Sequence, residues 1–441
     1  MQRNAVQANL FRAVLLLLVG SGPISFAQMG HVLEAVGPVN QSMAGAGTAL
    51  PLDAMGALHW NPGSISGLSS SEMSFSFTAF APVTSLQSQV AANAFGPGAP
   101  PATLSGSTTS DTDISPIPAM AIVHRPSASR WTFGLGGYGI GGFGVNFPTD
   151  PNNPILTPQP PLGGMGFGAI FSRFQLMQFS PTASYQLTPC WSIGFAPTVN
   201  WATLSITPFS AAAPNLDGTY PNGAIGDDSW GMGFQVGTYY QAANSPWNLG
   251  LSYKSTQWFQ TYRINSMDSN GAYRQLAINL DYPSILSLGV AYRGFNRVRI
   301  ASDVRYIDYK NTDGFQAAGF DANGAVTGFG WKSIWASSTG LEYAISNRMF
   351  WRWGYTFNES PISSQQMFYN SPAPGIVQHH LSTGFTRFCD SGWNISMAYQ
   401  HGFENTVSGR WWHPSLGAVS GTSVAGTLAT HALVAGISRK F

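Results

Sequence analysis

From residue 72 to the end of the chain, large apolar residues alternate with small or polar ones, and only extended chain turns a period of two into two different faces. Trp230, Met232, Phe234, Val236 and Tyr240 share one side, while Gly231, Gly233, Gln235, Gly237 and Tyr239 share the other. Met73, Phe75, Phe77 and Ala79 oppose Ser74, Ser76 and Thr78. Trp335, Leu341, Tyr343 and Ile345 oppose Ala336, Ser338, Gly340 and Glu342. Met349, Trp351, Trp353, Tyr355 and Phe357 oppose Phe350, Arg352, Gly354, Thr356 and Asn358.

Alternation alone also fits a soluble sandwich, so the connections carry the distinction. Fourteen segments are expected, the first near 72–86, the third near 131–148, the seventh and eighth near 247–264 and 273–293, the last near 426–441. Tight turns at 127–129, Pro189, 244–246, 295–296, 346–347 and 390–392 alternate with long loops rich in Pro, Gly and Asn. An even strand number with short turns at one end and long loops at the other is the rhythm of single-chain outer-membrane barrels. The fold expected is therefore all-β, a closed antiparallel transmembrane barrel. Closure is required, because an unpaired backbone group in hydrocarbon costs several kcal/mol.

Composition points the same way. Only 9% of the chain is charged, against roughly 25% in soluble proteins. Aromatic residues make up 13% and include 14 Trp, which suits interfacial girdles. Past the N-terminus no stretch approaches the eighteen or so uninterrupted apolar residues of a membrane helix. Residues 1–27 have the form of a secretory signal: Arg3 and Arg12, an apolar run from Ala13 to Val19, then small residues ending at Ala27. The net charge of +1 gives no electrostatic reason to expect nucleic acid or an acidic partner. Cys190 and Cys389 fall in turns on different sides of the expected barrel, and a disulfide needs Cα atoms within about 7 Å. Two free thiols are expected. The terminal Phe441, after an alternating strand with Ile437, Ala435 and Leu433 on its face, resembles the recognition signal of outer-membrane assembly, although Arg439 departs from the apolar residue usual there.

Residues 28–71 do not alternate. Ser42 and Pro51 have the character of helix starts and Asn61-Pro62 of a helix stop, so two short helices and a turn are expected. A fourteen-stranded barrel is wider than side chains alone can fill, so this weakly charged, Gly/Ala-rich segment is the right size for a plug. The run from Met43 to Ala49, Met-Ala-Gly-Ala-Gly-Thr-Ala, followed by Asp53-Ala54 and Asn61-Pro62, resembles the hatch of the long-chain fatty acid and toluene transporter family. The resemblance implies a hatch of residues 28–71, with Asp53, Asn61, Pro62 and Gly63 in its signature, inside a barrel of residues 72–441. Gly63 stands where that family usually has Ala, which points to a looser turn. It further implies uptake of small hydrophobic molecules across the bacterial outer membrane without cofactor, metal or catalytic residue. The substrate would enter an apolar site from outside and leave sideways into lipid beside a kinked third strand.

That third strand holds Gly134, Gly136, Gly137, Gly139, Gly141, Gly142 and Gly144. Glycine inside a strand weakens pairing and marks bulges. Gly137, Gly139, Gly141, Gly142 and Gly144 are the candidate lateral gate; they could equally make room for the hatch. Alternation turns Arg299, Asp303, Arg305, Glu342 and Arg352 into the lumen. The arginines could meet a substrate carboxylate, or could pair with Asp303, Glu342, Asp53 or Glu34 to hold the plug. Gly134 to Gly139 matches a dinucleotide fingerprint in letters only, since no helix follows it, and the His residues show no metal-ligand spacing. A general porin would carry many constriction charges and no plug. A barrel hydrolase would need Ser or Asp with His at the rim, and no such motif is visible. A plugged barrel with its own exit functions as a monomer.

Overall fold

The computed structural model describes residues 29–390 and 392–441. The signal at 1–27 lies outside the described residues. Fourteen antiparallel strands form the barrel: β1 Glu72–Val90, β2 Ser115–His124, β3 Trp131–Phe147, β4 Ile170–Gln186, β5 Trp191–Thr207, β6 Gly223–Gln241 and β7 Trp247–Lys254. They continue with β8 Ile285–Tyr292, β9 Val298–Ile307, β10 Ile334–Ser346, β11 Met349–Asn358, β12 His379–Phe388, β13 Trp393–Gly409 and β14 Thr422–Lys440. Each strand pairs with the next, and β14 pairs with β1 along its full length, so the sheet closes.

The alternation resolves into an outer and an inner face. Trp230 and Met232 are exposed while Gln235 and Tyr239 are buried, and Trp335 is exposed while Ser338 and Glu342 are buried. The seventh and eighth strands are shorter than the alternation suggested. Barrel pairing stops at Lys254 and resumes at Ile285, and Tyr262–Met267 with Tyr273–Ile278 form a separate hairpin among the long loops. Its own apolar residues, Tyr262, Ile264 and Leu276, are buried. That is why its sequence continues the barrel pattern.

The N-terminal segment fills the lumen. It contains α1 Gly37–Ser42, α2 Ala54–Trp60 and a 3₁₀ turn at Pro62–Gly67. Two expected helix starts shift. Ser42 ends α1, where its hydroxyl donates to Val39 O at 2.7 Å, and α2 begins after Asp53, whose carboxylate accepts from Gly56 N. Pro51 lies just upstream of that cap. Asn61 does stop α2, then accepts from Gly63 N at 2.9 Å and donates to Thr48 O at 2.8 Å and Thr238 O at 3.0 Å. One amide thus ties two hatch segments to β6. Gly63 is not loose: a Cβ there would lie 2.8 Å from Gly237 O.

Wall and hatch meet backbone against backbone. A Cβ at Gly194 would overlap the Pro62 carbonyl, one at Gly250 the Thr48 carbonyl, and one at Gly354 the Met43–Ala44 peptide. The inward face of the wall at hatch height is therefore made of glycine on several strands. The polar clamp is Asp303. Its Oδ2 accepts from Gly47 N at 2.9 Å, Thr48 N at 3.0 Å and Thr48 Oγ1 at 2.8 Å. It also pairs with Arg305 at 2.6 Å, both side chains being fully buried. Arg305 in turn donates to Gly45 O at 2.7 Å and lies 3.6 Å over the Trp60 ring.

Two outcomes follow for the detergent-solubilised protein. Asp303→Ala leaves Arg305 a buried charge without its partner and should destabilise by about 3–5 kcal/mol. Replacing Arg305 with Met in the same chain should restore much of that loss in the thermal midpoint. Gly354→Val forces the hatch off the wall and should cost about 1–3 kcal/mol, with faster exchange of the hatch amides and an intact barrel.

Candidate functional site

The barrel wall is interrupted between β2 and β3. Their ladder runs from His124↔Phe133 to Ala119↔Tyr138 and stops there, although β2 continues to pair with β1 as far as Phe80↔Ser115. Farther toward the long loops the two sides meet again, where Asn146 O accepts from Asp111 N and Asn146 N donates to Ser110 Oγ, each at 2.8 Å. The stretch between is a window. On one side Pro116 and Pro118 have no N–H to offer a neighbouring strand. On the other, Ile140 is an extra residue, since the β3–β4 register shifts between Gly139 and Gly141. This bulge turns the strand inward, so residues 136–143 are all buried and the alternation vanishes there.

The window holds a cavity of about 530 Å³. Its walls are Phe80, Ile117, Phe143, Phe171, Phe174 and Trp201, with Gly139, Gly141 and Gly142 as a floor without side chains. A pocket of this size can take a small organic molecule. Leu33, from the hatch, also reaches its lining.

On the lumen side the window is covered by the start of the hatch. Leu33 N donates to Ile140 O and Gly142 N donates to His31 O, both at 2.9 Å. The His31 ring sits in an aromatic box. It stacks on Phe315 with centroids 4.8 Å apart, meets Tyr282 edge-on at 5.5 Å and lies near Tyr309, Trp331 and Phe174. Phe174 belongs to both box and cavity. Burial holds the imidazole neutral, its pKa lowered to about 3, and neither ring nitrogen has a hydrogen-bond partner among the described residues.

The gate glycines of the sequence divide here. Gly139, Gly141, Gly142 and Gly144 border the cavity, whereas Gly137 still pairs with Met120 in the intact ladder below it. A Cβ on Gly139 would strike Ile117 at 2.6 Å, on the side of the cavity, while one on Gly141 would strike His31 O at 2.7 Å, on the side of the hatch. Of the lumen arginines, Arg305 holds the hatch through Asp303. Arg352 binds Glu342 at 2.7 Å and donates to Thr386 at 2.8 Å, and Arg299 reaches Glu342 at 3.4 Å. Neither hatch carboxylate forms an ion pair with an arginine. Asp53 caps α2, and Glu34 contacts His380 Nδ1 at 3.0 Å and accepts from Gln400. Burial pushes the Glu34 carboxyl up to about 8, against the opposing pull of the Arg305 charge. Cys190 and Cys389 are both unpaired.

Two features were absent from the sequence reading. The prolines at 116 and 118 interrupt an otherwise clean strand and could have marked the weak seam. His31, with the residues around it, carried no signal, since its surroundings come from strands and loops far along the chain.

Several solved structures share this architecture. The toluene transporter TodX of Pseudomonas putida is 16% identical with a TM-score of 0.66, and 93% of this chain and 99% of that one are covered. A FadL homologue of Pseudomonas aeruginosa is 14% identical with a TM-score of 0.71, covering 93% and 100%. The toluene transporter TbuX of Ralstonia pickettii is 15% identical with a TM-score of 0.62, covering 93% and 99%. No curated protein sequence matches the chain. At these identities the likeness establishes the barrel with its internal segment. The family model for outer membrane protein transport proteins (OMPP1/FadL/TodX) matches residues 25–440, so the chain belongs to that family of the bacterial outer membrane.

Proposed function

We propose that the protein passively carries small hydrophobic molecules, hydrocarbons above all, from outside the cell into the outer membrane through the window between β2 and β3. The observation that carries this reading is the apolar cavity lying in the break of the wall itself. Apolar surface loses about 25 cal/mol per Å² on entering water, so a dry sideways route into lipid suits such a cargo better than an aqueous pore. The TodX and TbuX relatives are toluene transporters and another, CymD, is a monoaromatic hydrocarbon channel. An aromatic box occupied by a neutral, flat ring agrees with cargo of that shape. Arg305 and Arg352 are already engaged by Asp303 and Glu342, which leaves Arg173, at the lining of the cavity, as the arginine placed to meet an acidic cargo.

In this reading residues 28–71 are the plug, signed by Asp53, Asn61, Pro62 and Gly63. Residues 31–33 are its movable edge, and Gly139, Gly141, Gly142 and Gly144 are the floor of the exit. One chain supplies plug, cavity and window, so the unit of transport is a monomer. A general porin is disfavoured by the filled lumen. Phe441, exposed on the outer face at the end of β14, is the element proposed for recognition by the assembly machinery.

Gly139→Val should fill the window from within, where its side chain meets Ile117, and lower uptake of radiolabelled toluene or hexadecane by about tenfold, as blocking a gated passage does. Gly137→Val, one turn of the ladder below, should leave uptake close to the parent at equal surface level. Equal uptake by all three proteins would remove the lateral route.

A further inference from the structure

We propose that the periplasmic mouth of the barrel is a docking site for an acidic, extended polypeptide segment of a periplasmic partner. Beneath the hatch, at the short-turn end, lies a second cavity of about 800 Å³, separate from the window. Six cationic side chains line it: Arg125, Arg293, Arg297, Arg299, Arg352 and Lys440. Glu342 is the only carboxylate among its lining residues, and Arg352 and Arg299 already hold it. Asp53 and Glu72 lie buried behind the wall of the cavity, within electrostatic reach of Lys440. They offset part of the charge without entering the opening.

The overall charge of +1 conceals this segregation. Most Asp and Glu residues sit in or beside the long loops, such as Asp111, Asp150, Asp217, Asp268 and Asp321, at the opposite end. Around the mouth, Arg130, Arg348, Arg387 and Arg439 extend the basic character outward along the turns, with Asp390 and the C-terminal carboxylate as the nearby anions. An acidic ligand is therefore attracted to one end of the barrel and repelled from the other.

The spacing of the cations selects the ligand class. Arg125 follows β2, whereas Arg293 and Arg297 belong to the β8–β9 turn and Arg299 to the start of β9, on the far side of a fourteen-stranded ring. A single phosphate or carboxylate cannot meet both sets. A chain of carboxylates crossing the mouth can. Arg297 is exposed, and neither an ion pair nor a side-chain hydrogen bond holds it, so its charge is free to bind. Arg125 is anchored to Leu68 O of the hatch, which places the ligand directly against the plug.

The test uses the purified mature protein in detergent and a fluorescein-labelled deca-glutamate peptide, followed by fluorescence anisotropy. Saturable binding is expected, weakening steeply as salt rises to about 0.5 M and screening shortens, with no binding of deca-lysine. Arg297→Glu should weaken the peptide roughly tenfold or more, as reversal of a mouth charge does, and Arg297→Gln less. Hydrocarbon uptake by both variants should remain at the parental rate, which also shows that they fold. Absence of peptide binding, binding indifferent to both substitutions, or displacement by equimolar inorganic phosphate or citrate would each overturn the proposal; the last would mean a small-anion site only. Because uptake is read separately, failure here leaves the lateral route standing.

Discussion

Because a Cβ at Gly194, Gly250 or Gly354 would overlap hatch main chain, plug and cylinder touch through their peptide groups, and the rest of the structure depends on that closeness. Side chains on both surfaces would hold the two apart and leave a wet annulus. With the wall stripped to glycine, hatch carbonyls and amides come within reach of wall side chains, and Asp303, Gln235 and Asn248 bind them directly. Buried backbone groups need such partners. The abundance of glycine in this barrel is thus as much a packing requirement as a consequence of turns.

Much of the architecture was legible because it rests on short-range pattern. Trp335 against Glu342 and Trp230 against Gln235 separate the two faces by a period of two, and the spacing of turns counts the strands. The long hairpin at 262–278 was misassigned for the same reason, since Ile264 and Leu276 alternate as a barrel strand would but bury their apolar side within the loops. Helix starts were misplaced by a few residues, because Ser42 closes a turn as readily as it opens one. The site was legible only in outline. Glycines announced an irregular third strand, yet where the wall parts depends on Pro116, on the bulge at Ile140 and on His31, which lie far apart in sequence and meet only after closure.

Charge follows a similar logic. Net charge is a sum and carries no position, whereas the barrel sorts its ionisable groups by end. A chain poor in charge can still present a strong local field when its arginines gather at the turns and its aspartates in the loops. Inside the lumen Asp303 is matched to Arg305 and Glu342 to Arg352, while the buried Lys254 ammonium donates to the Gln178 amide oxygen instead of a carboxylate.

The window raises the hardest energetic question, because an open strand edge facing hydrocarbon leaves groups unsatisfied. Two features lower that cost. Pro116 and Pro118 remove two donors from the β2 side outright. On the β3 side, the bulge directs Ile140 O and Gly142 N inward, where Leu33 N and His31 O receive them. The hatch edge is therefore the missing strand of the seam, borrowed from within the lumen. In the proposed route, withdrawing residues 31–33 to admit cargo would strip those groups of partners, so an open seam would require something else to fill the aromatic box. A polar ligand could supply hydrogen bonds but would be stranded on its way into lipid. In the proposed lateral route an apolar ring would not replace those bonds, but it would replace the buried surface of the His31 ring as it entered the seam.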